Sequence, residues 1–189
     1  MFKYLRDTFI PDIDLTPDLI NHPSAQNSIL TMKKIAVMVI LRCGGNYLLL
    51  ERGKAPNAGK FVPVGGKLEA HESPIEAAVR ETREETGIGI ALPRFCGILS
   101  ETSPVDYNWL CYIYLADIPY QEPPPCDEGR LVWIPGDKLD TVPTPPTDLA
   151  IYDYVYREEP FVLDARYDED LNLYWMYDEL HGKVVIQNQ

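Results

Sequence analysis

Long hydrophobic runs are missing from this 189-residue chain: the longest, Ile35–Leu41, has seven residues, far short of the roughly 20 that a bilayer-spanning helix needs. The opening stretch MFKYLRDTFIPDID has acids and a proline where a signal peptide needs an unbroken apolar segment, so the expected location is the cytoplasm. Basic charge is also scarce. Seventeen Lys and Arg face 29 Asp and Glu, for a net charge of -12. Such a surface repels nucleic-acid polymers and anionic membranes, and neither is expected as a partner. A small phosphate-bearing molecule would need metal cations as mediators. The four cysteines, Cys43, Cys96, Cys111 and Cys126, form no C-x-x-C pair and have no histidine at zinc-ligand spacing. Buried free thiols are expected rather than a disulfide framework or a zinc site.

What remains is an ordinary globular composition, 46% hydrophobic and 24% charged, with no internal repeat. Residues 1–33 read as a leader whose apolar residues Phe2, Tyr4, Leu5, Phe9 and Ile10 could dock on the body or on a second copy, giving a homodimer. Residues 34–189 read as one domain. Two apolar runs, Ile35–Leu41 and Tyr47–Leu50, flank Cys-Gly-Gly-Asn, a hairpin signal. Phe61–Val64 reads as a short strand running into Gly65-Gly66. Further strands are expected over Phe95–Ser100, Trp109–Ala116 and Leu131–Ile134. YQEPPPC reads as an extended surface loop. Asp148 could cap a helix over about Leu149–Tyr156, and FVLDARYDEDLNLYWMY reads as a closing hairpin with its turn at Asp168–Asp170. This order of strands and helices predicts an α+β fold on a mixed sheet.

The stretch GGKLEAHESPIEAAVRETREETGI, Gly65–Ile88, holds six glutamates. Ser73, Pro74 and Glu76 make a capping box with proline at the first helical position. Gly87 is a natural stop, so a helix is predicted over about Pro74–Thr86. Ile75, Ala78, Val79 and Thr82 fall on one face, expected to pack on the sheet. Glu81, Glu84 and Glu85, spaced i, i+3 and i+4, share another face and repel one another. Two readings accommodate them. One is a solvated acidic face relieved by Arg80 and Arg83. The other is a site for a hard divalent cation, which takes oxygen ligands from a carboxylate cluster beside a glycine-bent loop.

The order of residues resembles the signature box of the Nudix hydrolases. Gly66, Glu72, Arg80-Glu81, Glu84-Glu85 and Gly87 match its seven fixed positions at the family spacing. Thr82 stands where the family usually has an aliphatic residue. The resemblance implies an α/β/α sandwich around a mixed β-sheet, and Mg²⁺- or Mn²⁺-dependent cleavage of a nucleoside diphosphate linked to a group X. It implies Glu81, Glu84 and Glu85 as metal ligands with the Gly65 carbonyl, a bracing Glu72–Arg80 pair, and a weaker contribution from Glu69 through water. Glu128, a few residues before a Trp-bearing strand as in MutT-type enzymes, would be a further ligand. Either Glu85 or Glu128 would be the base.

Arg52 and Lys67 match positions that meet substrate phosphates in MutT-type enzymes. The downstream order also resembles the branch that acts on nucleoside triphosphates, oxidised purine nucleotides included, releasing pyrophosphate and a monophosphate. There Asp148 matches one of two base-facing acids, although its neighbour is Thr147, and Val62 stands where a base-reading Asn is usual. Tyr107 and Trp109 could stack on a base or fill the core. Pro104, sixteen residues after the box, instead suggests an ADP-ribose or ADP-sugar pyrophosphatase. A third reading, a non-catalytic nucleotide sensor, would go with a broken box, and this box is intact.

Overall fold

The computed structural model describes residues 32–55 and 57–188. The leader and its docking or dimer role lie outside the described residues, apart from Met32 and Lys33. The elements run β1 (Lys34–Cys43), β2 (Asn46–Arg52), β3 (Phe61–Val62), α1 (Pro74–Thr86), β4 (Arg94–Thr102), β5 (Trp109–Asp117), β6 (Pro125–Cys126), β7 (Gly129–Pro135), a 3₁₀ turn at Gly136–Lys138, α2 (Pro146–Arg157), β8 (Phe161–Tyr167), β9 (Leu173–Asp178) and β10 (Lys183–Gln187).

Among the described residues, all ten strands join one mixed sheet in the order β10-β9-β8-β4-β5-β1-β2-β7-β6, with β3 pairing β2. Two pairings are parallel, β1 with β5 and β4 with β8. The strand β1 shows why the sheet is sandwiched. Its run IAVMVIL is apolar on both faces, as expected where each side is covered. Ala36 and Ile40 belong to one buried cluster with Ile151, Tyr152, Tyr154 and Val155 of α2. Val37, Val39 and Leu41 belong to another with Ala77 and Ala78 of α1. The helices therefore cover opposite faces, and the α/β/α architecture is the observed one.

The β1–β2 hairpin turns at Gly44-Gly45, with Cys43 opposite Asn46 and Gly44 at φ 56°, a left-handed backbone that suits glycine. The two strands part after the Leu41–Leu48 pair. β2 goes on to pair with β3 and β7, while the vacated edge of β1 is taken by the chain around 64–67 through the Val39–Val64 and Ala36–Lys67 bridges. This split in the sheet makes room for a cavity.

Helix α1 spans the predicted residues. The Ser73 N–H and hydroxyl both donate to the Glu76 carboxylate, at 2.8 and 2.6 Å, and Gly87 closes the helix at φ 70° with its N–H on the Arg83 carbonyl at 2.8 Å. The buried face differs from the expected one. Ala77, Ala78, Thr82 and Thr86 are buried, whereas Ile75 is 37% exposed and Val79 only half-buried. Small residues let the helix lie close to the sheet, and that rotation turns Glu81 and Glu85 toward the Gly65-Gly66 loop. Thr82 fits there because its hydroxyl donates to the Ala78 carbonyl at 2.7 Å.

Three further expectations are corrected. Helix α2 starts at Pro146 with Pro145 at the cap, so Asp148 sits inside the first turn rather than capping it. The chain after β9 makes a third strand, β10, antiparallel to β9, where only a hairpin was expected. The end of YQEPPPC, Pro125-Cys126, pairs with β7 as a short edge strand. All four cysteines are free, Cys96 and Cys111 buried, Cys43 and Cys126 half-buried. No helix among the described residues is long and apolar enough to cross a membrane.

Candidate active site

The split between β1 and β2 opens into a cavity of about 1170 Å³. One end is polar and charged, with Arg52, Gly65, Gly66, Lys67, Glu81, Glu85 and Glu128 in its wall. The other holds Glu101, Tyr107, Trp109, Cys111, Thr147, Asp148 and Tyr167.

The charged end is built on the two glycines. The Gly65 N–H donates to the Glu85 carboxylate at 2.9 Å, and the Gly66 carbonyl accepts from the Val37 N–H at 2.9 Å, which locks the loop between helix and sheet. Burial pushes the Glu85 carboxyl up to about 7. The Gly65 N–H opposes that rise, while the nearby carboxylates Glu128 and Glu81 add to it. Arg80 ties the loop to the helix. Its guanidinium grips Glu72 at 3.0 and 2.5 Å and reaches Glu81 at 2.8 Å, Glu84 at 3.0 Å and the Lys67 carbonyl at 3.0 Å. Arg80, with the Glu69 N–H second, holds the Glu72 carboxyl below the usual range. Glu69 is exposed and does not line the cavity.

The three helical carboxylates part company. Glu81 and Glu85 line the cavity. Glu84 lies beside Arg80 with its side chain 60% exposed, on a groove shared with Ile75, Val79 and Leu92. Glu128 sits in the β6–β7 turn with its carboxylate 3.4 Å from Arg52. Among the described residues, no three acidic, histidine or cysteine side chains are gathered closely enough to hold a metal ion as arranged. The donors nonetheless suit a hard divalent cation in kind: Glu81, Glu85 and Glu128 are oxygen donors lining one cavity, and a cation there would relieve the repulsion that Glu128 and Glu81 add to the effect of burial on Glu85.

Lys67 reaches from the charged end toward the Trp109 ring, 6.0 Å away, and at the far end Tyr107 and Tyr167 meet edge to face at 5.6 Å. Val62 lines the cavity as an aliphatic wall. Pro104 is exposed on the β4–β5 loop and does not line the cavity. Sequence reasoning passed over Glu101, which accepts from Tyr167 at 2.6 Å and from Tyr107 at 3.5 Å. A signal existed: Glu101 follows Leu99 by two on β4, and Leu99 is in the core, so alternation points the acid inward.

Asp148 is 4% exposed. Burial, with the charge of Glu101 second, pushes its carboxyl up to about 8, against the Thr147 hydroxyl and Lys60. The folded value lies above the unfolded one of about 3.9. Stability from this group is therefore complete below about pH 4 and is lost as pH rises through 8. The cost at neutral pH is on the order of 4 kcal/mol. Asp148→Asn should melt about 5 °C or more above the wild type at pH 8, with little difference at pH 4.5. Thermal unfolding at both pH values checks this, and equal shifts at the two would refute it.

The comparisons with known proteins agree with this architecture. The NUDIX domain family model matches residues 32–160, and the chain belongs to that family. Nudix enzymes are pyrophosphohydrolases that act on phosphoric anhydrides with divalent cations, and this chain is a Nudix hydrolase. It is 31% identical over 123 residues to an uncharacterized Nudix hydrolase, YvcI, of Bacillus subtilis, covering 62% of this chain and 76% of that one. It is 31% identical over 111 residues to an oxidized purine nucleoside triphosphate hydrolase of Danio rerio, 56% of this chain and 69% of that one. The crystal structure of a MutT protein from Bacillus halodurans superposes with a TM-score of 0.68 at 26% identity, covering 78% of this chain and 98% of the other.

Proposed function

We propose that this chain hydrolyses purine nucleoside triphosphates, oxidised ones among them, to the monophosphate and pyrophosphate, in a cytoplasmic setting with Mg²⁺ or Mn²⁺. The observation that carries the reading is the two-ended cavity. Carboxylates and the cations Arg52 and Lys67 occupy one end, and aromatic rings with buried acids occupy the other. A triphosphate and its base need those two environments within one molecule's length. The likeness to the zebrafish oxidized purine nucleoside triphosphate hydrolase supports it.

Glu81, Glu85 and Glu128 would hold the cation, which supplies charge neutralisation on the phosphates and a more acidic water. Glu84 would join only by turning away from Arg80. Arg52 and Lys67 would bind the phosphates, and the Glu72–Arg80 pair would keep the loop against the helix. Water forms a new P–O bond as the bridging P–O bond breaks, and pyrophosphate leaves. Glu85 would take the water's proton, as a carboxylate in the cavity wall that the Gly65 N–H holds in place. Asp148 and Tyr107 would meet the base.

The test is a hydrolysis panel with product analysis at millimolar Mg²⁺, with and without EDTA. It contains dGTP, 8-oxo-dGTP, the other nucleoside triphosphates, ADP-ribose and ADP-glucose. Pyrophosphate and monophosphate from the triphosphates, abolished by EDTA, are expected. Turnover confined to ADP-ribose or ADP-glucose would overturn the substrate, and tight nucleotide binding with no turnover would make the chain a sensor.

A further inference from the structure

Two acids are shut into the far end of the cavity from different elements. Glu101 comes from the middle of the sheet, between Trp109 of β5 and Ala165 of β8 in register, and is 6% exposed. Asp148 comes from the first turn of α2. Its Oδ2 is buried and has no hydrogen-bond partner, and the Thr147 hydroxyl reaches only Oδ1, at 3.4 Å. Among the described residues no cation pairs with either carboxyl. Lys33 is spent on the Ser100 and Thr102 hydroxyls and the Glu101 backbone carbonyl, at 2.8 to 2.9 Å.

Two buried carboxyls that line one cavity and feel each other's charge resist ionising together. Burial raises both here, and the charge of Glu101 adds to the rise at Asp148. With one proton between them, the two carboxyls would offer a ligand in the cavity both oxygen acceptors and an O–H donor, and the buried Asp148 Oδ2 left without a partner is costly. The complement is a flat edge with two adjacent N–H donors beside a carbonyl. A guanine-type base has that edge: the ring N–H, the neighbouring exocyclic amino group and the carbonyl. Adenine and cytosine each present one amino donor beside an acceptor nitrogen, and leave one carboxyl unanswered. The two tyrosines fix the Glu101 side chain through its other contacts.

We propose that Glu101 is a specificity-determining residue, which with Asp148 forms a buried carboxyl pair that takes the two-donor edge of a guanine-type base. The inference deepens the proposed triphosphate reading and rests on it for the orientation of the nucleotide.

The experiment compares dGMP with dIMP, which lacks the exocyclic amino group, by calorimetry on the full chain without metal. It also compares kcat/KM for dGTP with that for dITP. The wild type should prefer the guanine member roughly tenfold or more in both assays. Glu101→Gln should bring both ratios close to one, since its amide presents a donor where an acceptor is needed. Tyr167→Phe keeps the ring and removes one donor to Glu101, and should lower the ratios part of the way. These ratios compare two ligands on the same folded protein, so a general loss of stability does not move them. Equal binding of dGMP and dIMP by the wild type, or an unchanged ratio in Glu101→Gln, overturns the proposal. A dGMP preference that Glu101→Gln abolishes, without triphosphate turnover, keeps the base reader and removes the hydrolytic substrate. Triphosphate turnover with an unmoved ratio does the reverse.

Discussion

Glu85→Gln should lower kcat by roughly 10³-fold or more at saturating Mg²⁺ while leaving the fold intact. The substitution preserves shape. The Gln carbonyl oxygen can still accept the Gly65 N–H that Glu85 accepts now at 2.9 Å, so the loop keeps its anchor. What disappears is the charge that would hold the cation and the group that would take the proton. Because burial already lifts the Glu85 carboxyl to about 7, a neutral side chain costs the fold nothing at neutral pH. Glu128→Gln should cost less, since Glu128 stands half-exposed in a turn beside Arg52. Steady-state kinetics with melting temperatures for both variants decides the matter. A loss under tenfold for Glu85→Gln, with a large loss for Glu128→Gln, would transfer the base role to the turn.

Neighbouring glycines should give opposite results when each is changed to alanine. Gly65 has φ 147°, a backbone conformation that other residues rarely adopt, and its new methyl would overlap the backbone carbonyl of Val37. Val37 lies inside the sheet and cannot move aside. Gly65→Ala should destabilise by about 3 kcal/mol or more, visible as a drop in melting temperature. At Gly66 the methyl would run only into the Glu81 carboxylate, the end of a flexible side chain. Gly66→Ala should therefore melt within about 1 kcal/mol of the wild type. It should still lose activity, on the order of 10²-fold, because Glu81 is driven out of the cavity wall and away from Arg80. Equal stability losses for the two variants, or full activity in Gly66→Ala, would contradict the roles given to this loop.

Local chemistry was legible in the sequence wherever one residue type has one structural use. Ser73, Pro74, Glu76 and Gly87 marked both ends of α1, and the two glycines at 44–45 marked the hairpin. The rotation of α1 was not legible. Ile75 and Val79 are more apolar than Ala77 and Thr86, but the close approach to the sheet and the reach of Glu81 and Glu85 decide which side is buried. Asp148 looked like a cap because acids favour that position; the Pro145-Pro146 pair starts the helix earlier and carries the acid inside. Alternation from Leu99 puts Glu101 on the inner face of β4, but how closed its surroundings are depends on β8 pairing with β4. That pairing joins distant parts of the chain, and no local pattern encodes it. Lys183–Gln187, a short edge strand, carries too few residues for its alternation to stand out.

The parallel ladder between β1 and β5 also governs how the molecule comes to be folded. Lys34 faces Trp109 in register, so the chain between them, with the β1–β2 hairpin and α1, must be looped out before the first bond of that ladder forms. The loop entropy is spent before the contact returns anything, a feature of slowly folding topologies. The β4–β8 ladder repeats the condition across α2. Hairpins and helices can form early and locally, but the wall carrying Glu101 and Tyr167 exists only after both long closures. The proposed discrimination between bases would thus depend on both long closures and be absent from a chain in which only the hairpins and helices had formed.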